Sequence, residues 1–287
     1  MIITINEEKI DYTLENEKTA GDIISAIREW LENSGILISE IKLDDKIAPL
    51  HETNWENTDL QNISVIALKT ITLKESRIRQ IETALNYFNL LVDAADKNDL
   101  DTIGELSEGF SDLTLLLNNI FGDLDYKELA EGIVSELNEH GFPVTDSSVY
   151  NSGKDIIADS ENFIKILESR LNEISNPGEE AVSAAGALAS MADELENVAV
   201  NLQTGKEMEA MQTIILLTEL MQALLRSMSW SDVTEETENY VSEIFNILSE
   251  LEEALKASDT VLIGDLLEYE LKPKLLELPP NLNFKEN

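Results

Sequence analysis

From Ile78 onward the apolar residues of this chain recur at alternating spacings of three and four. Ile78, Ile81, Leu85, Phe88, Val92 and Ala95 form one such series, and Ile103, Leu106, Phe110, Leu113, Leu117 and Ile120 form another without a miss. This is the α-helical period, and it commits most of the chain to amphipathic helices. Only Asp96-Lys97-Asn98-Asp99 separates the two series, so the helices must fold back antiparallel.

The pattern continues to the end. A shorter helix is predicted from Asp125 to Glu139, ended by His140-Gly141-Phe142-Pro143, with a loop from Ser147 to Gly153 beyond it. Ile157, Ser160, Ile164, Leu167, Leu171 and Ile174 mark the next helix, stopped by Asn176-Pro177-Gly178. Ala181, Ala185, Leu188, Ala192, Leu195, Ala199 and Leu202 then line one long helix whose small residues allow close approach. After Thr204-Gly205, its partner carries Ala210, Ile214, Leu217, Met221, Leu224 and Met228 on a seam. Ile215, Leu216, Leu220 and Leu225 lie off that seam. A helix apolar around most of its circumference is expected to be central and buried on several sides. Val241, Ile244, Leu248, Leu251 and Leu255 seam a last pair that turns at Ala257-Ser258-Asp259-Thr260, and the final helix is expected to stop near Pro279-Pro280.

A faint repeat accompanies this plan. The stretch from Asp99 to Glu108 aligns with that from Asp259 to Glu268, sharing Asp, Ile, Gly, Leu and Glu. Each copy opens the second helix of a hairpin. The favoured reading is a glycine, Gly104 or Gly264, where two helices cross closely; the other is a recognition face used twice.

Residues 1–72 follow a different period. Ile2 to Ile5 is β-branched, Asn6 to Lys9 is a polar turn, and Ile10 to Leu14 alternates apolar with polar. Thr19 with Asp22 three residues on forms a helix start; Ile23, Ile24, Ile27, Trp30 and Leu31 share one face, and Gly35 closes the helix. Ile36 to Leu43 reads as a third strand, Asp44-Asp45-Lys46 as a turn, and Ile63 to Ile71 as the last strand. The order ββαββ over these residues resembles the ubiquitin-like group of the β-grasp fold. The resemblance implies a small docking domain. It does not imply carrier or modifier chemistry, which needs a terminal Gly-Gly: here Leu68 to Leu73 runs straight into a helix.

Charge and composition restrict function. With 20 Lys+Arg against 57 Asp+Glu the formal net charge is −37, which disfavours nucleic acid and anionic membranes as direct partners. Lys74, Arg77 and Arg79 are the one local basic cluster, flanked by Glu75 and Glu82. The 43% apolar content argues for a packed core over a disordered acidic tail. The absence of cysteine excludes disulfides, thiolate metal sites and cysteine nucleophiles. The richest apolar stretch, Ile214 to Leu225, is interrupted by Thr218, Glu219 and Gln222, so no membrane insertion is expected. The first residues lack the basic start and cleavage site of a signal peptide. The expected location is cytoplasmic.

No motif names a reaction. Ser152-Gly153-Lys154-Asp155 lacks the upstream glycine and the Ser or Thr of a phosphate loop. Asp96, Asn98, Asp99 and Asp101 resemble a calcium loop, but counting from Asp99 puts Phe110 where a bidentate Glu is needed. Of the two histidines, His51 falls in a loop. His140 sits at a helix end, where a cation suits the helix dipole. No catalytic, cofactor-binding or metal-binding residue is assigned, and no cofactor.

The sequence therefore reads as α+β, predominantly α: a β-grasp domain over residues 1–72, then an antiparallel multi-helix bundle of helical hairpins over residues 73–287. The expected role is a non-catalytic cytosolic protein-interaction module, adaptor or chaperone-like, with an acidic surface suited to basic or helical protein partners. Homodimerisation through the alanine-rich helix pair is a further expectation. The alternatives are an export or secretion chaperone for a helical subunit, an enzyme with a carboxylate/His pocket, or mimicry of DNA. Trp55, in the long loop before the last strand, is the candidate contact if the small domain docks a partner; the favoured reading is that it folds back on Trp30 and completes the small core.

Overall fold

The computed structural model describes residues 1–13, 16–50, 52–121, 127–144 and 153–285. The protein is α+β and predominantly α, with 72% of the residues helical. The chain divides into two compact units, Met1–Glu161 and Asn162–Asn287.

The first unit opens with β1 (Ile2–Ile5) and β2 (Glu8–Ile10), joined through Asn6 and Glu7 at φ 50° and 70°. Such left-handed turns match the twist of a hairpin. Helix α1 (Ala20–Glu32) starts at a capping box: Thr19 accepts from the Asp22 amide, and the Asp22 carboxylate accepts from the Thr19 amide. Strands β3 (Ile36–Leu43), β4 (Lys46–Ala48) and β5 (Val65–Thr72) complete one five-stranded sheet in the order β2-β1-β5-β3-β4. β1 and β5 are parallel and the other neighbouring pairs antiparallel.

Two details differ from the sequence reading. The second strand is shorter and earlier than Ile10 to Leu14, because Ile5 pairs with Glu8 directly across the tight turn. An additional strand, β4, follows the Asp44-Asp45 turn, where the Asp44 carboxylate accepts from the amides of Ser64 and Val65 at 2.9 and 2.8 Å.

Helix α2 (Leu73–Lys97) leaves β5 without a linker, through a second capping box between Thr72 and Glu75. It packs with α3 (Leu100–Glu108) and α4 (Phe110–Phe121). The sequence predicted one helix here. The chain breaks at Gly109, where the Tyr87 hydroxyl donates to the Leu106 carbonyl and draws it toward α2. Helix α5 (Lys127–Glu139) packs on α4, and buried Phe142 meets Phe110 edge-on at 5.4 Å. The boundary between the units falls inside α6 (Gly153–Ser175).

The second unit is helical. Its elements are α7 (Pro177–Met191), α8 (Glu196–Gln203), α9 (Glu207–Ser229), α10 (Glu235–Ala257), α11 (Thr260–Asp265) and α12 (Lys272–Asn281). Ala185, Leu188, Leu195, Leu224, Ile244 and Leu271 are among the fully enclosed residues of one continuous core.

The long helix expected from Ala181 to Leu202 is interrupted by a 3-10 turn at Ala192–Leu195. There the Lys272 ammonium reaches Asp193 and Glu196 at 2.7 and 2.5 Å. A π-helical segment, Leu266–Leu271, links α11 to α12, and α12 ends at Asn281, near Pro279-Pro280 as expected, with both prolines inside its last turn. Proline removes a donor but keeps a helical φ, so the pair is tolerated in the last turn. Thr237 ties the following segment down: its hydroxyl donates to the Asn281 carbonyl at 2.8 Å and accepts from the Asn283 amide at 2.9 Å.

Helix α9 departs furthest from expectation. It packs along α7 and α8, and only 22% of its most apolar window is buried. By length and composition alone this helix could cross a membrane. Here its apolar content is divided: Ala210, Leu217, Met221 and Leu224 enter the core, while Ile215 and Leu216 face out.

Candidate functional site

Electrostatics dominate the surface. Lys42 and Lys69 both contact Glu40, at 3.2 and 3.0 Å, and hold its carboxyl below the usual range. Lys97 pairs with Asp93 at 2.6 Å and Lys256 with Glu252 at 2.5 Å. Lys274 pairs with Glu243. The hydrogen bonds of Lys272 to Asp193 and Glu196 push its ammonium above the ordinary lysine value. Arg170 and Arg226 share the buried carboxylate of Glu173 at 2.7 and 2.9 Å. Arg77, from the local basic cluster, is 9% exposed and donates to the Asn119 carbonyl, so the cluster with Lys74 and Arg79 does not form a surface patch. Much of the scarce positive charge is thus matched inside the chain, and the surplus at the surface is acidic.

The sequence candidates fare unequally. Trp55 is 8% exposed and lies in the core under α1, the favoured of its two readings, and its indole donates to the Pro49 carbonyl at 2.9 Å. The loop that carries it docks on the first turn of α1, where the amides of Ala20 and Gly21 each donate at 2.9 Å, to Thr58 and Glu56. Trp30, expected on the buried face of that helix, is 60% exposed.

His51 lies outside the described residues, as does Ser152 of the Gly-Lys motif. The His140 Nδ1 stands 2.5 Å from Asp159, and that hydrogen bond raises the imidazole pKa. Asp99 caps α3: its carboxylate accepts from the Thr102 amide and hydroxyl at 3.2 and 2.8 Å, which lowers its pKa. Among the described residues no three of His, Cys, Asp and Glu converge in a group able to hold a metal ion.

One apolar feature remains at the surface. Met208, Met211 and Ile215 on α9 are 76%, 43% and 52% exposed, with Leu216 at their edge. At 3.6 residues per turn the first three share an arc of about 60°. Glu207 and Glu209 border this face, and Glu219 continues it. On the other helices, among the described residues, large exposed apolar side chains stand singly or as the adjacent pair Val261 and Leu262. Sequence reasoning missed the face because it followed the seam through Ala210 and Leu217. The signal was present: Met208, Met211 and Ile215 form a second series about 140° away.

Two family models match parts of the chain. Residues 1–72 match the TP0873 N-terminal domain, and residues 179–280 match a domain of unknown function, DUF8042. The second stretch begins in the first turn of α7 and ends in α12, so α9 lies within it. The chain is also similar to an uncharacterized protein of Treponema pallidum (strain Nichols), 29% identical over 94 residues, covering 29% of this chain and 47% of that protein. The chain thus matches about half the length of that relative. No solved structure matches.

Proposed function

We propose that this protein is a non-catalytic, cytoplasmic protein-interaction module, adaptor or chaperone-like, whose acidic surface draws in basic protein partners. The observation that carries this reading is the one-signed surface. A charge of −37, with basic side chains such as Lys42, Arg226 and Lys272 paired to neighbouring carboxylates, leaves a field that steers cations and speeds their association.

The partition into residues 1–72 and 73–287 belongs to the same proposal, with the first part a β-grasp docking domain. The sheet order β2-β1-β5-β3-β4 with β1 parallel to β5, and the family match ending at residue 72, both support that reading. The capping box at Thr72 lets the chain pass from strand to helix without a linker.

The test is affinity capture from native lysate with the full chain as bait, washed at rising salt and read by mass spectrometry. Reproducible capture of basic proteins that release as salt rises supports the module. Capture of nothing above background overturns it.

A further inference from the structure

An exposed apolar face on a helix that also builds the core sets α9 apart from the other helices, whose large exposed apolar side chains, among the described residues, stand singly or as the adjacent pair Val261 and Leu262. Met208, Met211 and Ile215 project from the first half of α9, opposite the buried Ala210 and Leu217. Exposures of 76%, 43% and 52% leave them open, and two of the three are methionines, whose unbranched side chains adapt to varied partners. The border is acidic. Glu207 and Glu209 flank the first turn and Glu219 follows the stripe, and from Glu207 to Leu225 the helix holds no Lys or Arg. Arg226, in the last turn, is engaged with Glu173 through two hydrogen bonds at 3.0 and 2.9 Å. Between Pro177 and Ser229 there are 8 acidic residues and 2 basic ones.

We infer that the Met208–Met211–Ile215 face of α9 is the docking surface for a basic amphipathic helix of a partner protein, apolar along one side and rimmed by Lys and Arg. Charge complementarity selects this occupant. A second copy of the chain would bring the same acidic border against this one, and an anionic lipid surface would be repelled. A basic helix instead lays its apolar stripe on the methionines while its cations meet Glu207, Glu209 and Glu219. The inference rests on the protein-interaction reading and adds its place and the chemistry of its partner.

The probe is a fluorescein-labelled Leu/Lys peptide of about 18 residues, five helical turns, with leucines at helical spacing. Its control has the same composition scrambled so that no apolar face forms. Fluorescence anisotropy against the full chain is expected to show the amphipathic peptide binding about ten-fold tighter than the scrambled one. The triple variant Met208→Ser/Met211→Ser/Ile215→Ser is expected to remove that advantage, while Val261→Ser/Tyr269→Ser, also exposed, leaves it within about twofold. A photo-cross-linker on the peptide should label α9 of the unsubstituted chain, a readout that needs no variant. Equal binding of both peptides, an unaffected triple variant, or cross-links confined to other elements each overturns the assignment. So does a dimer in sedimentation equilibrium that the triple variant dissolves, since the occupant would then be a second copy. Lysate capture that succeeds while the peptide test fails removes this surface and leaves the module reading; failed capture removes the module reading whatever the peptide does.

Discussion

Gly264 in α11 lies so close to Ala199 in α8 that a Cβ on the glycine would stand 3.0 Å from the alanine's own. Its counterpart in the sequence repeat, Gly104 in α3, has open space where a Cβ would go. The two copies therefore share residues but not a role: one glycine permits a close helix contact and the other does not.

Alanine should have opposite effects at the two positions. Gly104→Ala gains helix propensity and should raise stability by about 0.5–1 kcal/mol. At Gly264 the same gain is offset by crowding that typically costs about 1–3 kcal/mol, so Gly264→Ala should destabilise by about 1 kcal/mol. Urea midpoints of the two variants check this, and adding Ala199→Gly to Gly264→Ala should recover most of the loss. A destabilised Gly104→Ala would sink the distinction.

Trp55 and Trp30 should separate just as clearly. Trp55 is 8% exposed and fills the core under α1, so Trp55→Ala should cost about 3–5 kcal/mol. Trp30 is 60% exposed, and Trp30→Ala should change stability by no more than about 0.5 kcal/mol. Chemical denaturation followed by circular dichroism distinguishes them, and similar costs at both sites would contradict the packing described.

Glu173 joins α6 to α9 by accepting from Arg170 and Arg226, and its side chain is 7% exposed. Replacing it with Ala removes the carboxylate that both guanidinium groups share, and this should destabilise the protein by about 3 kcal/mol. Replacing Glu173 and Arg226 together with Met should cost less than the single change. A double variant worse than Glu173→Ala would rule out charge imbalance as the cause.

The His140–Asp159 pair makes stability depend on pH in a definite direction. The hydrogen bond to Asp159, with Asp155 and Glu139 nearby, raises the imidazole pKa above its ordinary 6.5. Protonation is therefore tighter in the folded protein. The stabilisation is full below about pH 6.5 and is lost as pH rises through the folded value. The advantage of the unsubstituted chain over His140→Gln should accordingly shrink from pH 6 to pH 8. An advantage that grows over that range would refute it, and an NMR titration of the His140 ring checks the midpoint directly.

Much of the fold was legible in local signals. Thr19 with Asp22 announced α1, and the spacing from Ile78 to Ala95 announced α2, because caps and helical periodicity depend on neighbours in the chain. The hairpin turns at Asn98 and Ser258, both left-handed at φ 53° and 55°, fell where polar residues interrupted the apolar series. The interruptions inside helices were not legible. The break at Gly109 involves the Tyr87 hydroxyl, and the 3-10 turn at Ala192–Leu195 is gripped by Lys272, about 80 residues away.

The candidate surface divides the same way. The chain alone determined the sign of the field, since 57 acidic residues against 20 basic ones leave it negative however the chain folds. It also determined that α9 would be a helix with apolar residues on two sides. Only the tertiary structure decided which side is covered: α7 and α8 pack against the Ala210–Leu217 side and leave Met208, Met211 and Ile215 to solvent. The same holds for the tryptophans, where the loop docked on α1 buries Trp55 and leaves Trp30 outside. Periodicity records that a face is apolar, but burial depends on which elements meet it, and that is set by packing between segments distant in sequence.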